Sequence, residues 1–203
     1  MKVELLDHTP LDEFKKILSE GSPLNDILQH IAFTFAIEGI SRVCSHQLVR
    51  HRVASFSQQS QRYVEVKRLM DNVVVPQSVL DKAPELFRDF MSQASDAYEK
   101  LVMQAVSKED ARFVLPNATE TNLLVTMDGR ELMHLFGLRC CYRAQWEIRA
   151  MADKMLRAIK PLDPVLFEKA GPYCLQLGYC PEGRFSCGRM QEAVLSYQSF
   201  RGD

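Results

Sequence analysis

Residues 50–63 carry a dense run of side chains that can do chemistry. Arg50, His51 and Arg52 are followed by hydroxyl and amide side chains, and Arg62 stands near the end of the run. A packed helix or strand gains nothing from so many polar donors. Guanidinium groups pair with phosphate or carboxylate oxygens through two parallel hydrogen bonds, and amides both donate and accept along a planar ring edge. The segment therefore indicates a site for an anionic, planar ligand.

Two other interpretations of this segment stay open. A basic run often forms a solvated surface turn. Alternatively, its arginines and aromatic rings could bind single-stranded nucleic acid by stacking and charge, the residues being Arg50, Arg52, Phe56, Arg62 and Tyr63. The formal net charge of the chain is −1, so no global basic field attracts a polyanion. We therefore expect no nucleic-acid partner.

The bulk composition is that of an ordinary globular protein. The chain has 203 residues, of which 46% are hydrophobic and 25% charged, which predicts a single domain over residues 1–203. The first residues lack a signal-peptide pattern, and no apolar run approaches the ~20 residues that span a bilayer. We expect a cytoplasmic protein with no membrane contact.

The six cysteines favour reduced thiols rather than disulfides or a metal site. Cys140 and Cys141 are adjacent, a poor geometry for a disulfide between them. Cys174, Cys180 and Cys187 lie close together in sequence and could hold zinc. They lack the two-residue chelate spacing of zinc sites, so we expect no metal.

Hydrophobic periodicity predicts a mostly helical α+β fold with a small sheet. Gly21 should end the first helix, Gly39 should break the second strand, and Ser41 should cap a helix running to about Arg52. The long helix could begin at Ser78 or at Pro84. A start at Pro84 is favoured, because proline is common in the first turn of a helix and rare in its interior. The predicted strands cover residues 1–6, 31–37 and 122–127, and the predicted helices cover residues 10–20, 41–52, 78–107, 108–114, 130–139, 141–159, 164–170 and 190–197.

Several stretches of the chain, in this order, resemble those of the flavin-dependent thymidylate synthases. The Arg-His-Arg triplet of residues 50–52 stands seven residues before Ser60, and residues 61–63 resemble the continuation of that family's signature. Further similar stretches are residues 30–35, 112–116, 130–134, 138–139 and 143–149. The resemblance covers roughly residues 30–190.

This resemblance implies a fold, an activity and a set of partners. The fold would be of the thymidylate synthase-complementing type, with a small, mostly antiparallel sheet packed with long helices. The activity would be the reductive methylation of dUMP to dTMP, with 5,10-methylenetetrahydrofolate as carbon donor, and with FAD and NADPH as the source of hydride. The assembly would be a homotetramer whose sites lie at subunit interfaces.

The resemblance also implies roles for individual residues. Arg139 would be catalytic, because a guanidinium beside the pyrimidine favours its ionisation at N3. The implied dUMP contacts are Gln47, Arg50, Gln58, Ser60, Gln61, Arg62, Arg112 and Arg139. The implied FAD contacts are Arg50, His51, Arg52, Gln58, Asp128, Arg130 and His134. From the residues alone, His134 could equally be a core histidine and Arg112 a cation at a helix end.

One segment departs from the family pattern. Relatives carry His-x-Ser/Thr-Pro-x-Glu-His before the second strand, whereas here Leu24 and Asp26 occupy two of those places and Gln29 replaces the glutamate. Ser22 and Pro23 resemble the missing pair but stand four residues early, and we expect a shortened or atypical N-terminal region. This motivates an alternative: an altered relative that binds flavin or nucleotide without turnover.

Overall fold

The computed structural model describes residues 1–19 and 23–199, and in this part of the chain four strands form one antiparallel sheet in the order β1-β2-β4-β3. In β2 the side chains of Phe33, Phe35 and Ile37 are fully buried and alternate with more exposed neighbours. This is the two-residue period of a strand with one face in the core. The strands are β1 (Lys2–His8), β2 (Ala32–Ser41), β3 (Ala54–Gln58) and β4 (Glu120–Asp128).

Helices make up most of the remaining described structure, and several begin at recognisable caps. Ser107 and Asp128 each accept a hydrogen bond from a backbone N–H in the first turn that follows, and Pro84 occupies the first turn of the longest helix. The helices are α1 (Asp12–Ser19), α2 (Leu24–Leu28), α3 (Arg42–Leu48), α4 (Gln77–Lys82), α5 (Pro84–Met103), α6 (Lys108–Ala111), α7 (Gly129–Arg139), α8 (Trp146–Ile159), α9 (Tyr173–Leu177) and α10 (Met190–Gln198).

The predicted α+β class is confirmed, and so is the start of the long helix at Pro84 after a break at Ala83. Ser41 caps α3 as predicted, since its Oγ accepts from the backbone N–H of Cys44 at 3.0 Å. Short 3-10 turns lie at Leu69–Asp71, Arg112–Val114 and Gly183–Phe185. The predicted end of α1 at Gly21 lies outside the described residues.

Five predictions about individual elements are wrong. Strand β2 continues through Gly39, because its backbone N–H donates to Asn122 Oδ1 at 2.9 Å, and α3 ends at Leu48 rather than Arg52. The polar run after α3, whose composition predicts a loop, continues as strand β3. Residues 141–145 form a turn before α8 rather than its first turns. Residues 164–170 form turns rather than a helix, since Asp163 caps this stretch locally by accepting from two backbone N–H groups.

The described residues divide into two compact units. The first contains residues 1–19, 23–37, 47–56 and 124–199, and in it α8 packs against β1 and α7. The second contains residues 38–46 and 57–123, with a core in which Met91 and Ala94 of α5 pack with Leu69. The organisation of the whole chain as a single domain stays a prediction.

No helix within the described residues combines the length and the apolar character needed to cross a lipid bilayer.

Candidate functional site

The start of α7 is held tightly in the first unit. Asp128 caps the helix by accepting from the backbone N–H of Glu131 at 2.7 Å, and the Gly129 N–H donates to the Ile31 carbonyl at 2.7 Å. A Cβ at Gly129 would lie 2.9 Å from the Leu28 carbonyl oxygen, so only glycine allows this approach. The cap and the close contact fix the direction of α7, and with it the side chains of Glu131 and His134.

Glu131, His51 and Arg139 form a linear hydrogen-bonded network. His51 is 3% exposed, and its Nδ1 lies 2.9 Å from Glu131 Oε1. Arg139 Nε donates to His51 Nε2 at 3.0 Å, and Arg139 Nη2 approaches the Gln47 carbonyl at 3.4 Å. Because a guanidinium N–H can only donate, Nε2 of the imidazole must accept, which leaves the ring proton on Nδ1 facing the carboxylate.

The environment keeps this imidazole neutral. Burial lowers the pKa of His51 from its ordinary value of 6.5, and the positive charge of Arg139 lowers it further, while the hydrogen bond to Glu131 acts in the opposite direction. A neutral His51 with its proton on Nδ1 is the form that the bond from Arg139 requires. Geometry and electrostatics therefore agree on one protonation state, and the network fixes the direction of the Arg139 side chain.

His134 extends the first unit's network toward solvent. Its ring lies 5.7 Å from that of His51 in an edge-on arrangement, and its Nδ1 is hydrogen-bonded to the hydroxyl of Tyr173. Burial and the nearby Glu131 carboxylate raise the pKa of Tyr173. A Cβ at Gly137 would lie 2.5 Å from the Tyr173 ring, so the absence of a side chain there lets Tyr173 reach His134. His134 itself is exposed, which excludes the core-histidine interpretation.

Three predicted flavin contacts of the first unit are exposed arginines: Arg50, Arg52 and Arg130. Arg130 Nη1 donates to Gln29 Oε1 at 3.1 Å, which joins α7 to the end of the segment that departs from the family pattern. Arg130 and His134 are four residues apart on α7 and therefore lie on one face of the helix. Exposed guanidinium groups suit an anionic partner such as a pyrophosphate.

The donor atoms of His51, Glu131 and His134 lie within 4.8 Å of one another, as those of a metal site would. Two observations favour a hydrogen-bonded network instead. Both ring nitrogens of His51 already have partners, and the guanidinium of Arg139 places a positive charge where a cation would bind. We interpret the group as a positioning network.

In the second unit the predicted nucleotide contacts form the end of β3 and the turn after it. Gln58 Nε2 donates to Thr121 Oγ1 on β4 at 3.2 Å. The next residue, Gln59, donates its backbone N–H to the Asn122 carbonyl at 2.9 Å and accepts from the Asn122 side chain at 3.2 Å. These bonds anchor the entrance to a polar turn that contains Ser60, Gln61 and Arg62.

The turn is closed by its own hydroxyl and by one acidic residue. Ser60 Oγ accepts from the backbone N–H of Arg62 at 3.2 Å, and Arg62 Nη2 pairs with Glu109 Oε2 at 2.8 Å. Arg112 Nε donates to the Glu109 carbonyl at 3.0 Å. About half of each side chain in the Arg62–Glu109 pair is exposed, so this pair is weak and easily exchanged for a ligand.

Arg42 adds positive charge to the second unit. Its Nη2 donates to the Gln59 carbonyl at 3.3 Å, and its Nε is buried with no hydrogen-bond partner among the described residues. Burial and the charge of Arg112 lower the pKa of Arg42. Two guanidinium groups close enough to repel each other are typical of a place that binds an anion.

The structure brings some of the predicted site residues together and reveals others. His51, Arg139 and the backbone of Gln47 share the first unit's network, whereas Gln58, Ser60, Gln61, Arg62 and Arg112 belong to the second unit. Glu131, Tyr173 and Arg42 were missed. Glu131 stands three residues before His134, a spacing that places it on the same helix face, whereas Tyr173 carried no sequence signal. The assignment of each residue to dUMP or FAD stays a prediction.

Comparison with known proteins gives consistent results. The model of the family described as "Thymidylate synthase complementing protein" matches residues 12–165. The chain is 48% identical over 225 positions to the flavin-dependent thymidylate synthase of Geobacter sulfurreducens, covering 95% of this chain and 96% of that protein. It is 52% identical over 177 positions to the flavin-dependent thymidylate synthase of Thermococcus onnurineus, covering 83% of this chain and 71% of that protein.

A solved structure shows the same fold at lower identity. The crystal structure of Thymidylate Synthase X from Helicobacter pylori with FAD and dUMP superimposes with a TM-score of 0.69 at 22% identity. The match covers 84% of this chain and 99% of that chain, which confirms the predicted thymidylate synthase-complementing fold. With the family match and relatives near 50% identity, this chain belongs to the flavin-dependent thymidylate synthase family.

Proposed function

We propose that the protein converts dUMP to dTMP by reductive methylation, with 5,10-methylenetetrahydrofolate as the carbon donor and NADPH as the reductant of a bound FAD. The observation that carries this proposal is the network in which neutral, buried His51 accepts from Arg139. The network holds the guanidinium of Arg139 in one orientation, and a group that acts on a pyrimidine ring needs such a fixed orientation. The near-full-length similarity to family members supports the same activity.

Arg139 is the residue that acts on the base. A guanidinium beside N3 of the pyrimidine stabilises the negative charge that develops when N3 ionises. Its Nε is bonded to His51, so the side chain does not have to be ordered when the nucleotide arrives. The backbone carbonyl of Gln47 accepts from Arg139 and so belongs to the same network. The side chain of Gln47 would contact the nucleotide.

The second unit's turn supplies the phosphate contacts. Ser60, Gln61 and Arg62 provide a hydroxyl, an amide and a guanidinium, and Arg112 provides a second guanidinium. An incoming phosphate would displace Glu109 from Arg62, exchanging a weak exposed pair for a charge-assisted contact. Gln58 bonds the uracil or ribose, because its amide can donate and accept but cannot act as a base.

The donor set fits FAD. Arg50, Arg52 and Arg130 would neutralise the pyrophosphate and the reduced ring, and Gln58, Asp128 and His134 would complete the contacts. His51, which the resemblance also implies as a contact, is 3% exposed with both ring nitrogens bonded, so it would act on the site through Arg139 and Glu131. When bound, the flavin supplies hydride chemistry that no side chain of the chain can supply. The protein residues bind it and fix its charge environment.

Assembly and location complete the proposal. The protein forms a homotetramer with sites at subunit interfaces and acts in the cytoplasm without nucleic acid. Exposed apolar side chains of the second unit support a protein interface, among them Leu86 at 73% and Phe90 at 58% exposure on α5. The six cysteines are free thiols, as a reducing compartment would keep them.

A second candidate function is binding of flavin and dUMP without turnover. Gln29, which replaces an acid of the family pattern, bonds Arg130 through a neutral amide at 3.1 Å. A glutamate there would bind the same guanidinium more strongly. The altered contact therefore changes how one predicted flavin residue is held.

One experiment separates the candidates. The purified protein is mixed anaerobically with FAD, dUMP, 5,10-methylenetetrahydrofolate and NADPH, and dTMP is measured. A yellow protein that forms dTMP supports the synthase. A yellow protein that binds dUMP without forming dTMP supports the binding relative, and a colourless protein that retains no FAD contradicts both.

A further inference from the structure

Four cysteines, three of them close in sequence and the fourth more than 30 residues earlier, line one pocket of the first unit. Cys141 follows α7, Cys174 lies in α9, and Cys180 and Cys187 lie in the turns between α9 and α10. All four are half-buried free thiols. The sequence lacks the two-residue cysteine spacing that is typical of zinc sites. The fold nevertheless brings thiols from three separate places in the chain to the same pocket.

The thiols are close enough to influence one another. Burial raises the pKa of Cys174, and the neighbouring Cys141 and Cys180 raise it further. Two neighbouring thiolates would repel each other, and this repulsion favours the protonated thiol form of Cys174. A bound cation reverses this effect, because it stabilises the deprotonated form of each sulfur that it binds.

The size of the pocket selects the guest. The space that a water-sized sphere can enter is about 20 Å³, which is room enough for one atom-sized guest. Thiolates are soft ligands, and four of them in a tetrahedron are typical of a structural zinc site. Sulfurs around zinc stand about 3.8 Å apart, from bond lengths of about 2.3 Å. Among the described residues these thiols do not yet form a group of three within 4.8 Å, so binding requires rotation of their side chains.

The surrounding charge and backbone favour such a site. Arg189 lies over the ring of Tyr142, a residue that lines the pocket, at 4.4 Å, and Arg143 lies over the Phe185 ring at 5.6 Å. Cations in these segments suit a site that would carry net negative charge when four thiolates bind one Zn²⁺. Residues 178–189 contain short turns with little buried apolar surface. Such a segment gains order from a metal, as small loop-rich regions generally do.

We propose that Cys141, Cys174, Cys180 and Cys187 bind one Zn²⁺ ion that fastens the segment between α9 and α10. Tyr173, which is hydrogen-bonded to His134, also lines the cysteine pocket. The ion would therefore stabilise the position of Tyr173 without contacting the reacting groups. The ion is structural, since four protein thiolates leave it no open position.

The test uses the full-length reduced protein, equilibrated with ZnCl₂ and then freed of unbound metal by gel filtration. Elemental analysis should find about one zinc per chain in the wild type. Cys180→Ser and Cys187→Ser should each weaken zinc binding at least about tenfold. The matched control is Cys44→Ala, which removes a thiol of α3 outside the pocket and should retain the metal. Circular dichroism shows that each variant is folded.

Two further readouts do not depend on enzyme activity. Replacement by Co²⁺ should give the visible absorption of a tetrahedral thiolate site in the wild type and in Cys44→Ala, with a changed spectrum in Cys187→Ser. Chelation should lower the melting temperature of the wild type by at least about 5 °C and leave Cys180→Ser nearly unchanged. Zinc-free wild type after equilibration, equal zinc in all variants, or a disulfide among the four cysteines in the reduced protein would overturn the proposal.

Discussion

The buried network around His51 and the exposed turn after β3 both consist of polar residues that the sequence marks as functional, yet they differ in construction. In the network, His51 is 3% exposed and accepts a bond from Arg139 at 3.0 Å. In the turn, Arg62 pairs with Glu109, and about half of each side chain is in solvent. The first arrangement is organised before a ligand arrives, and the second is organised by the ligand. Loss of the His51–Arg139 network should therefore reduce the rate of the chemical step. Loss of a contact in the turn should reduce the affinity for dUMP.

Arg139→Ala is the variant with the largest expected effect. It removes the cation that stabilises charge on the pyrimidine, so dTMP formation should fall by roughly 10²–10³-fold or more. Flavin occupancy, measured from visible absorbance, should stay largely intact. Arg139→Lys is the matched control that keeps the charge but removes the Nε donor to His51. Parallel loss of flavin and activity would show that Arg139 has no separate role.

Arg52→Ala should act on the cofactor rather than the nucleotide. Loss of one charge-assisted hydrogen bond corresponds to about a tenfold rise in the Kd for FAD, while the Kd for dUMP changes little. Both constants can be measured by calorimetry. Arg88→Ala, which removes an exposed arginine of α5 paired with Glu85, is the matched control. An unchanged Kd for FAD would contradict the assignment.

Arg62→Ala should raise KM for dUMP about fivefold and leave kcat nearly constant, since an exposed contact contributes on the order of 1 kcal/mol. Glu109→Gln tests the same pair from the other side. This change weakens the pairing of Arg62 with residue 109, which competes with the dUMP phosphate. The KM for dUMP should therefore be equal or slightly lower. Steady-state kinetics of both variants decide the point. A fall in kcat for Arg62→Ala, with KM unchanged, would remove the distinction between turn and network.

The smallest expected effect is the pH dependence of stability from His51. Its pKa in the folded protein is below the ordinary value of 6.5, so the unfolded chain binds the proton more readily. The contribution of His51 is therefore fully present above about pH 6.5 and declines as pH falls below that value. Urea unfolding between pH 7.5 and 5.5 should show this decline, and His51→Gln should show a weaker one. Equal slopes would contradict it.

The sequence predicted the elements whose patterns are local. The alternation of Phe33, Phe35 and Ile37 identified β2, and Pro84 identified the start of α5, because periodicity and proline geometry are written in neighbouring residues. It failed at residues 164–170, where Asp163 caps a series of turns, and at α3, which ends early at Leu48. Such endings depend on hydrogen bonds that a short pattern does not specify.

Part of the candidate site was equally predictable. The spacing of Arg50, His51 and Arg52 before Ser60 pointed to a candidate ligand-binding run, and the role of Arg139, which followed from the family resemblance, stays a prediction. Glu131 and Tyr173 were missed because their importance comes from contacts across 80 and 39 positions, with His51 and His134 respectively. Zinc at Cys174, Cys180 and Cys187 was considered and rejected on their spacing, because Cys141 joins the other three only in the folded chain.

The most direct test of the buried network is nitrogen NMR of the protein labelled at its histidines, with His51 assigned from the His51→Gln variant. The network predicts a neutral His51 at pH 7, protonated on Nδ1, with an unprotonated Nε2 whose resonance shifts in Arg139→Ala. It also predicts that this form persists below pH 6.5. A doubly protonated His51 at pH 7, or a proton on Nε2, would contradict the network and with it the preorganised Arg139.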